Sequence, residues 1–215
     1  MDPIIPIVRK EPFDDPAWLF ELKYDGFRGI ADTIRGRMLS KNKDRLRRFE
    51  RLLKTLPQGC VFDGEIVVLD ETGRPRFNDL LFGRREPTYI AFDVLFFEDK
   101  DVRAAPLKER KALLEKMVRR YGLQRTEPFI GEGRPLFSAV CKLDLEGIVA
   151  KRIPDGYGPQ TSGGRFLTRR TRRRSVGQNC LSGDTAEYFL RHVCLRRYYG
   201  NWQSKLSLTF LPVEG

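Results

Sequence analysis

The chain has 215 residues, enough for one substantial domain with a core of its own, and 40% of them are hydrophobic against 32% charged, which argues against wholesale disorder. No apolar run approaches the roughly 18–20 residues of a membrane-spanning helix, and the start, MDPIIPIVRKEPFDDP, has no secretory pattern, so the expected compartment is the cytoplasm. The net charge of +11 makes nucleic acid a candidate partner, but residues 161–215 alone hold 10 Lys and Arg against 3 Asp and Glu, so the basicity belongs mostly to the C-terminal stretch.

The first elements are legible from strand formers and glycines. Residues 17–23 (AWLFELK) predict a strand, Gly26 and Gly36 bracket a second (FRGIADTI), and a short third runs to Ser40. Residues 45–56 predict a helix, because Leu46, Phe49, Leu52, Leu53 and Leu56 recur at helical spacing, and Pro57 and Gly59 end it. Residues 60–69 (CVFDGEIVVL) predict a strand and 78–82 a short helical turn. Residues 89–97 (YIAFDVLFF) form a nearly continuous apolar run, as a buried strand does. Pro106 can open a helix whose apolar stripe is Leu113, Leu114, Met117, Val118 and Tyr121, with Gly122 as its stop. A helix over 134–143 and a strand over 146–151 complete the pattern.

After Gly158 the periodicity decays, and TRRTRRRS is a block of like charge. The expected domain therefore covers 1–158. Residues 159–215 read as a divergent or disordered Arg-rich tail, and the abrupt change suggests a shifted reading frame. The cysteines Cys60, Cys141, Cys180 and Cys194 form no C-x-x-C pair, and His192 is the sole histidine. That disfavours a zinc site or a disulfide framework.

Five short segments carry the chemistry. FELKYDGFRG, LSKNKDRL, FDGEIVVL, AFDVLFF and EGIVAKR occur in this order. Each alone is an ordinary strand or turn. Together they resemble motifs I, Ia, III, IIIa and IV of the covalent nucleotidyltransferases, and most closely those of bacterial ATP-dependent DNA ligases of the end-joining type. The resemblance implies an α+β, ATP-grasp-like fold of antiparallel sheets flanked by helices, with an ATP cleft between them.

It also implies roles. Lys23 would be the nucleophile that carries AMP as a phosphoramidate, with pyrophosphate leaving. An ordinary lysine, with a pKa of about 10.4, is protonated at neutral pH, so burial and neighbouring cations are expected to free its lone pair. Glu21 would face the adenine edge, and Arg28 would hold the ribose or a substrate phosphate. Lys41 follows Ser40 where the family often has arginine, keeping the charge without the bidentate fork. Glu65 would bind the ribose hydroxyl or a metal, Phe92 would stack on the purine, Glu146 would bind Mg²⁺ directly or through water, and Lys151 would reach the α-phosphate. The implied partner is nicked or broken double-stranded DNA, in repair or recombination, with end-joining proteins alongside and the enzyme itself a monomer. The runner-up readings are an RNA ligase or capping-type nucleotidyltransferase, and a catalytically dead nucleic-acid-binding fragment.

The family's motif V, W-x-K-x-K, is not written after DGYGPQTS, where GGRFLTRRTRRRSVGQ stands instead. An OB-fold is not recognisable either. Arg169 to Arg174 are the candidate substitutes for the missing cations, and poor self-adenylation without nick sealing is the expectation.

Overall fold

A computed structural model describes residues 3–9 and 11–158, and the backbone of 164–168. In chain order the elements are β1 (Ile7–Val8), β2 (Asp15–Lys23), β3 (Phe27–Asp32), β4 (Arg37–Leu39), a 3₁₀ helix (Arg47–Thr55), β5 (Cys60–Val67), α1 (Phe77–Leu81), β6 (Thr88–Phe97), β7 (Lys100–Asp101), α2 (Leu107–Tyr121), β8 (Phe129–Gly131), α3 (Gly133–Lys142), β9 (Gly147–Arg152) and β10 (Gly164–Thr168). They build two five-stranded sheets. One has the order β1-β10-β9-β2-β8, the other β4-β3-β5-β6-β7. All pairings are antiparallel except β1 with β10.

Strand alternation decides what each face meets. On β2, Trp18, Phe20 and Leu22 pack with Leu136 and Val140 of α3 and with Ile148 and Ala150 of β9. The intervening residues Glu21 and Lys23 are thereby turned to the other face. On the second sheet, Phe62 and Ile66 of β5 join Phe49, Leu52 and Leu53 of the 3₁₀ helix and Leu114 and Met117 of α2 in the larger core. Asp63 and Glu65 point away from that core. The cleft lies between the two sheets.

Two glycines are demanded by geometry. A Cβ at Gly26, in the turn after β2, would sit 2.3 Å from the Ile66 carbonyl oxygen, so only glycine lets β3 start this close to β5. Gly122 ends α2 in the left-handed conformation, with φ of 68°.

The structure departs from the sequence reading in four places. The segment expected as an ordinary helix over 45–56 winds as 3₁₀: the Leu46 amide is tied to the Met38 carbonyl at 2.8 Å, and the tighter turn stacks Phe49 above Leu52, three residues on. Tyr121, expected in the buried stripe of α2, is exposed; the buried face is instead Leu107, Arg110, Lys111, Leu114 and Met117. The short strands β1, β7 and β8 had no local signal, since each is defined by its partner. Finally, β10 lies beyond the expected boundary at Gly158 and pairs with β9 along its whole length, from Gly164↔Lys151 to Thr168↔Gly147. The remainder of the expected tail, 169–215, with the Arg169–Arg174 cluster, lies outside the described residues.

Candidate active site

The cleft between the sheets has a volume of about 540 Å³. Its wall brings together Glu21, Lys23, Arg28, Lys41, Glu65, Phe92 and Lys151 from five of the chain's separate segments. Glu146 stands immediately beside it, in contact with Lys23.

Lys23 is the last residue of β2 and is opposite Gly147 in the register with β9. That register sets its Nζ against the Glu146 carboxylate in an ion pair, both side chains being a little over a quarter exposed. Cations are expected around this lysine; a carboxylate is in contact with it as well, because the β2–β9 pairing brings the start of β9 alongside the end of β2. Burial pushes the Glu146 carboxyl up from its ordinary value, and the hydrogen bond from Lys23 opposes that. Glu146 Oε2 is buried without a hydrogen-bond partner.

Glu21 is two residues earlier on the same face, 1% exposed. Lys111 of α2 donates to its Oε1, as does Thr126 Oγ1, and Lys151 Nζ lies 2.7 Å from Oε2. Burial alone would raise this carboxyl. The positive fields of Lys111 and Lys151 overcome that and hold it down at about 2, so Glu21 is an anion. Lys151 Nζ also donates to the Phe92 carbonyl at 3.2 Å and lies 4.5 Å from the centre of the Phe92 ring.

The opposite wall is built on β3 and β5. Arg28 makes a bidentate pair with Asp63, Nε–Oδ1 at 3.0 Å and Nη2–Oδ2 at 2.6 Å, and Tyr157 Oη donates to Asp63 Oδ2 at 2.6 Å. Such forked pairs fix a guanidinium in plane as well as in charge. Glu65 is opposite Arg28 in the β3–β5 register but receives no share of this fork. Burial pushes its carboxyl up to about 8; Lys23 and Arg28 pull it down, and Asp63 and Glu146 add to the rise. Lys41 lies on the exposed Ser40–Asp44 turn at the cleft's edge. That turn is closed by a backbone bond from Ser40 N to Asp44 O at 2.8 Å.

Several site residues escaped the sequence reading. Lys111 and Arg110 come from the buried face of α2. Arg110 is 2% exposed and forks onto Asp93 at 2.8 and 3.0 Å. Their signal was present: Leu107, Lys111 and Leu114 are at i, i+4 and i+7, so a cation interrupts an apolar helical face. Asp63 also had a signal, as the residue two before Glu65 on one strand face. Thr126 and Tyr157 are in loops with no pattern to mark them.

Among the described residues no group of three or more His, Cys, Asp or Glu gathers as a metal cage, and the carboxylates that could take a divalent cation with phosphate and water are Glu65 and Glu146. Glu146 has an orphaned buried oxygen, and the Glu65 carboxyl is held up among other acids, so a divalent cation would relieve both. Mg²⁺ usually takes one or two carboxylates and completes its shell with water and phosphate oxygens.

Two largely antiparallel sheets enclosing a cleft, with a lysine at the end of one strand and carboxylates and cations lining the cleft, define a nucleotidyltransferase domain. The chain belongs to the ATP-dependent DNA ligase domain family, whose model matches residues 6–167. It is 36% identical over 160 residues to the multifunctional non-homologous end joining protein LigD of Pseudomonas aeruginosa, covering 67% of this chain and 19% of that protein. It is 30% identical over 163 residues to the SPbeta prophage-derived DNA ligase-like protein LigB of Bacillus subtilis, covering 69% of this chain and 59% of that one. The chain thus spans between about a fifth and three fifths of these relatives. The fold is similar to the ligase domain of M. tuberculosis LigD, with a TM-score of 0.62, 24% identity, and coverage of 77% of this chain and 58% of that one. It is also similar to mycobacterial DNA ligase D complexed with ATP and MES, with a TM-score of 0.67 at 24% identity, covering 77% and 59%. Among the described residues, no helix is long and apolar enough to cross a membrane.

Proposed function

We propose that this domain carries out the self-adenylation step of DNA strand joining, with Lys23 as nucleophile and ATP as substrate. The observation that carries this reading is the placement of Lys23 at the end of β2, in one cleft with the Phe92 ring and the Lys151 ammonium.

The step balances simply. The Lys23 ammonium, a little over a quarter exposed, loses a proton to water while the Glu146 carboxylate in contact holds its Nζ in place. The amine lone pair attacks the α-phosphorus, a P–N bond forms, the bond from that phosphorus to the bridging oxygen breaks, and pyrophosphate leaves. Phe92 stacks on the purine, Glu21 meets its edge, and Arg28, fixed by Asp63, faces the ribose or a substrate phosphate. Lys41 meets phosphate at the cleft's edge. Lys151 turns from Glu21 to the α-phosphate, where fixed charge is worth most because it needs no reorganisation. Glu65 and Glu146 would hold Mg²⁺, which when bound neutralises charge on the leaving pyrophosphate.

The acceptor of the AMP is nicked or broken double-stranded DNA. The end-joining relatives favour a repair setting in a bacterial cytosol, with end-joining proteins alongside and the domain acting as a monomer. Motif V is the weak point: residues 159–168 lack its two lysines, so self-adenylation is slow and nick sealing absent. The test is incubation with labelled ATP, GTP and NAD⁺. A covalent AMP label from ATP that survives denaturation and is released by hydroxylamine supports the reading. A GMP label points to a capping-type enzyme, and no label at all to a binding fragment.

A further inference from the structure

The roles proposed for the cleft residues leave the buried ammonium of Lys111 without a task. Lys111, 8% exposed, reaches from α2 to the Glu21 carboxylate on β2 and to the Phe92 carbonyl on β6 at 2.6 Å. It shares both partners with Lys151. The two ammonium groups do not treat Glu21 alike. Oε1 accepts hydrogen bonds from Lys111 and from Thr126 at 2.5 Å. Oε2 faces Lys151 alone, with Nζ 2.7 Å away in an ion pair. One oxygen is held by two donors, and the other by a single cation.

We infer that Lys111 is the positioning residue for Glu21, anchoring Oε1 so that Lys151 can leave and Oε2 can accept a hydrogen bond from the amino edge of an adenine base. This rests on the ATP reading of the cleft. An ionised carboxylate only accepts hydrogen bonds, so it suits the exocyclic amine of adenine and opposes the carbonyl oxygen that guanine has at that position. A buried carboxylate stripped of its cation is heavily penalised. Without Lys111, Glu21 keeps Lys151 as its remaining ammonium and withholds it from the phosphate. Lys111 therefore governs both the choice of base and the rate of the phosphoryl step, without touching the nucleotide.

The test uses the full chain in five forms: wild type, Lys111→Met, Lys111→Arg, Glu21→Gln and the Glu21→Gln/Lys111→Met double variant. Calorimetry with ATP and GTP reads base preference, and single-turnover labelling reads the rate. Lys111→Met should lose about tenfold or more of both the ATP-over-GTP preference and the rate, the scale of a hydrogen bond to a charged group. Lys111→Arg should keep most of the preference. In the Glu21→Gln background, Lys111→Met should cost little, because no carboxylate remains to anchor. That comparison stands even where Lys111→Met alone does not fold, since neutralising both halves of a buried pair is better tolerated than removing one. Equal losses in the two backgrounds, or an unchanged base preference in Lys111→Met, overturn the inference while leaving the ATP reading intact. A wild-type protein that neither binds ATP nor takes label removes both.

Discussion

Glu21 and Glu65 occupy one cleft and both are removed from water, yet the first is held down at about 2 and the second is pushed up to about 8. Burial raises both. What separates them is the company each keeps. Glu21 has Lys111 and Lys151 within contact and Thr126 as a further donor. Glu65 has Asp63 two residues away on its own strand face, and the Arg28 that stands opposite is committed to Asp63. One end of the cleft is thus neutralised within the protein, as suits an uncharged base. The other end has surplus carboxylate, as suits a polyphosphate arriving with its divalent cation. Desolvation raises both carboxyls; direct contact with two ammonium groups reverses the sign at Glu21, whereas at Glu65 the pull of Lys23 and Arg28 is opposed by Asp63 and Glu146.

The largest expected effect comes from removing the group between the two ends. Lys23→Ala should abolish covalent AMP labelling, and Lys23→Arg should fail as well, since a guanidinium stays protonated. A Lys23→Ala protein that still labels fully would sink the assignment.

The next effect sharpens the phosphate end. Inserting a W-x-K-x-K segment after Ser162 should raise the single-turnover adenylation rate by about 10²-fold or more, because a preorganised charge contact is typically worth 10²–10³. If the native chain already labels as fast as the restored one, the Arg169–Arg174 cluster supplies those cations.

At the base end, Phe92→Ala should weaken ATP binding about tenfold, since stacking on an aromatic ring is worth roughly 1–3 kcal/mol. Equal affinities by calorimetry would reduce Phe92 to a wall residue.

The smallest effect is on stability, and it runs in opposite directions for the two carboxylates. The folded state holds the Glu65 proton more tightly than the unfolded chain does. Stability from this group is full below about pH 4.5 and is lost as pH rises towards 8. Glu65→Gln should therefore gain in urea midpoint relative to wild type across that window. For Glu21 the folded value is depressed, so its contribution is present above about pH 4.5 and is lost as pH falls towards 2. Parallel pH profiles for wild type and Glu65→Gln would remove the contrast.

The sequence by itself determined the succession of the central elements along the chain and the strand face on which Lys23 lies. In AWLFELK the strand period of two puts Trp18, Phe20 and Leu22 on one face and Leu19, Glu21 and Lys23 on the other. Pro106 and Gly122 bracketed α2 through their own backbone limits, and YIAFDVLFF could only be buried. These are local properties, carried by residues two to four apart. Tertiary structure alone decided the rest, because the partners are distant in the chain. Lys111 meets Glu21 across 90 residues and Tyr157 meets Asp63 across 94. Strand β10 was invisible in a segment without periodicity because the edge of β9 defines it. The carboxylate that meets Lys23 was set by the β2–β9 register, which no window along the chain contains. Periodicity says which face a side chain takes, but only the packing of one element on another says which charge it will find there.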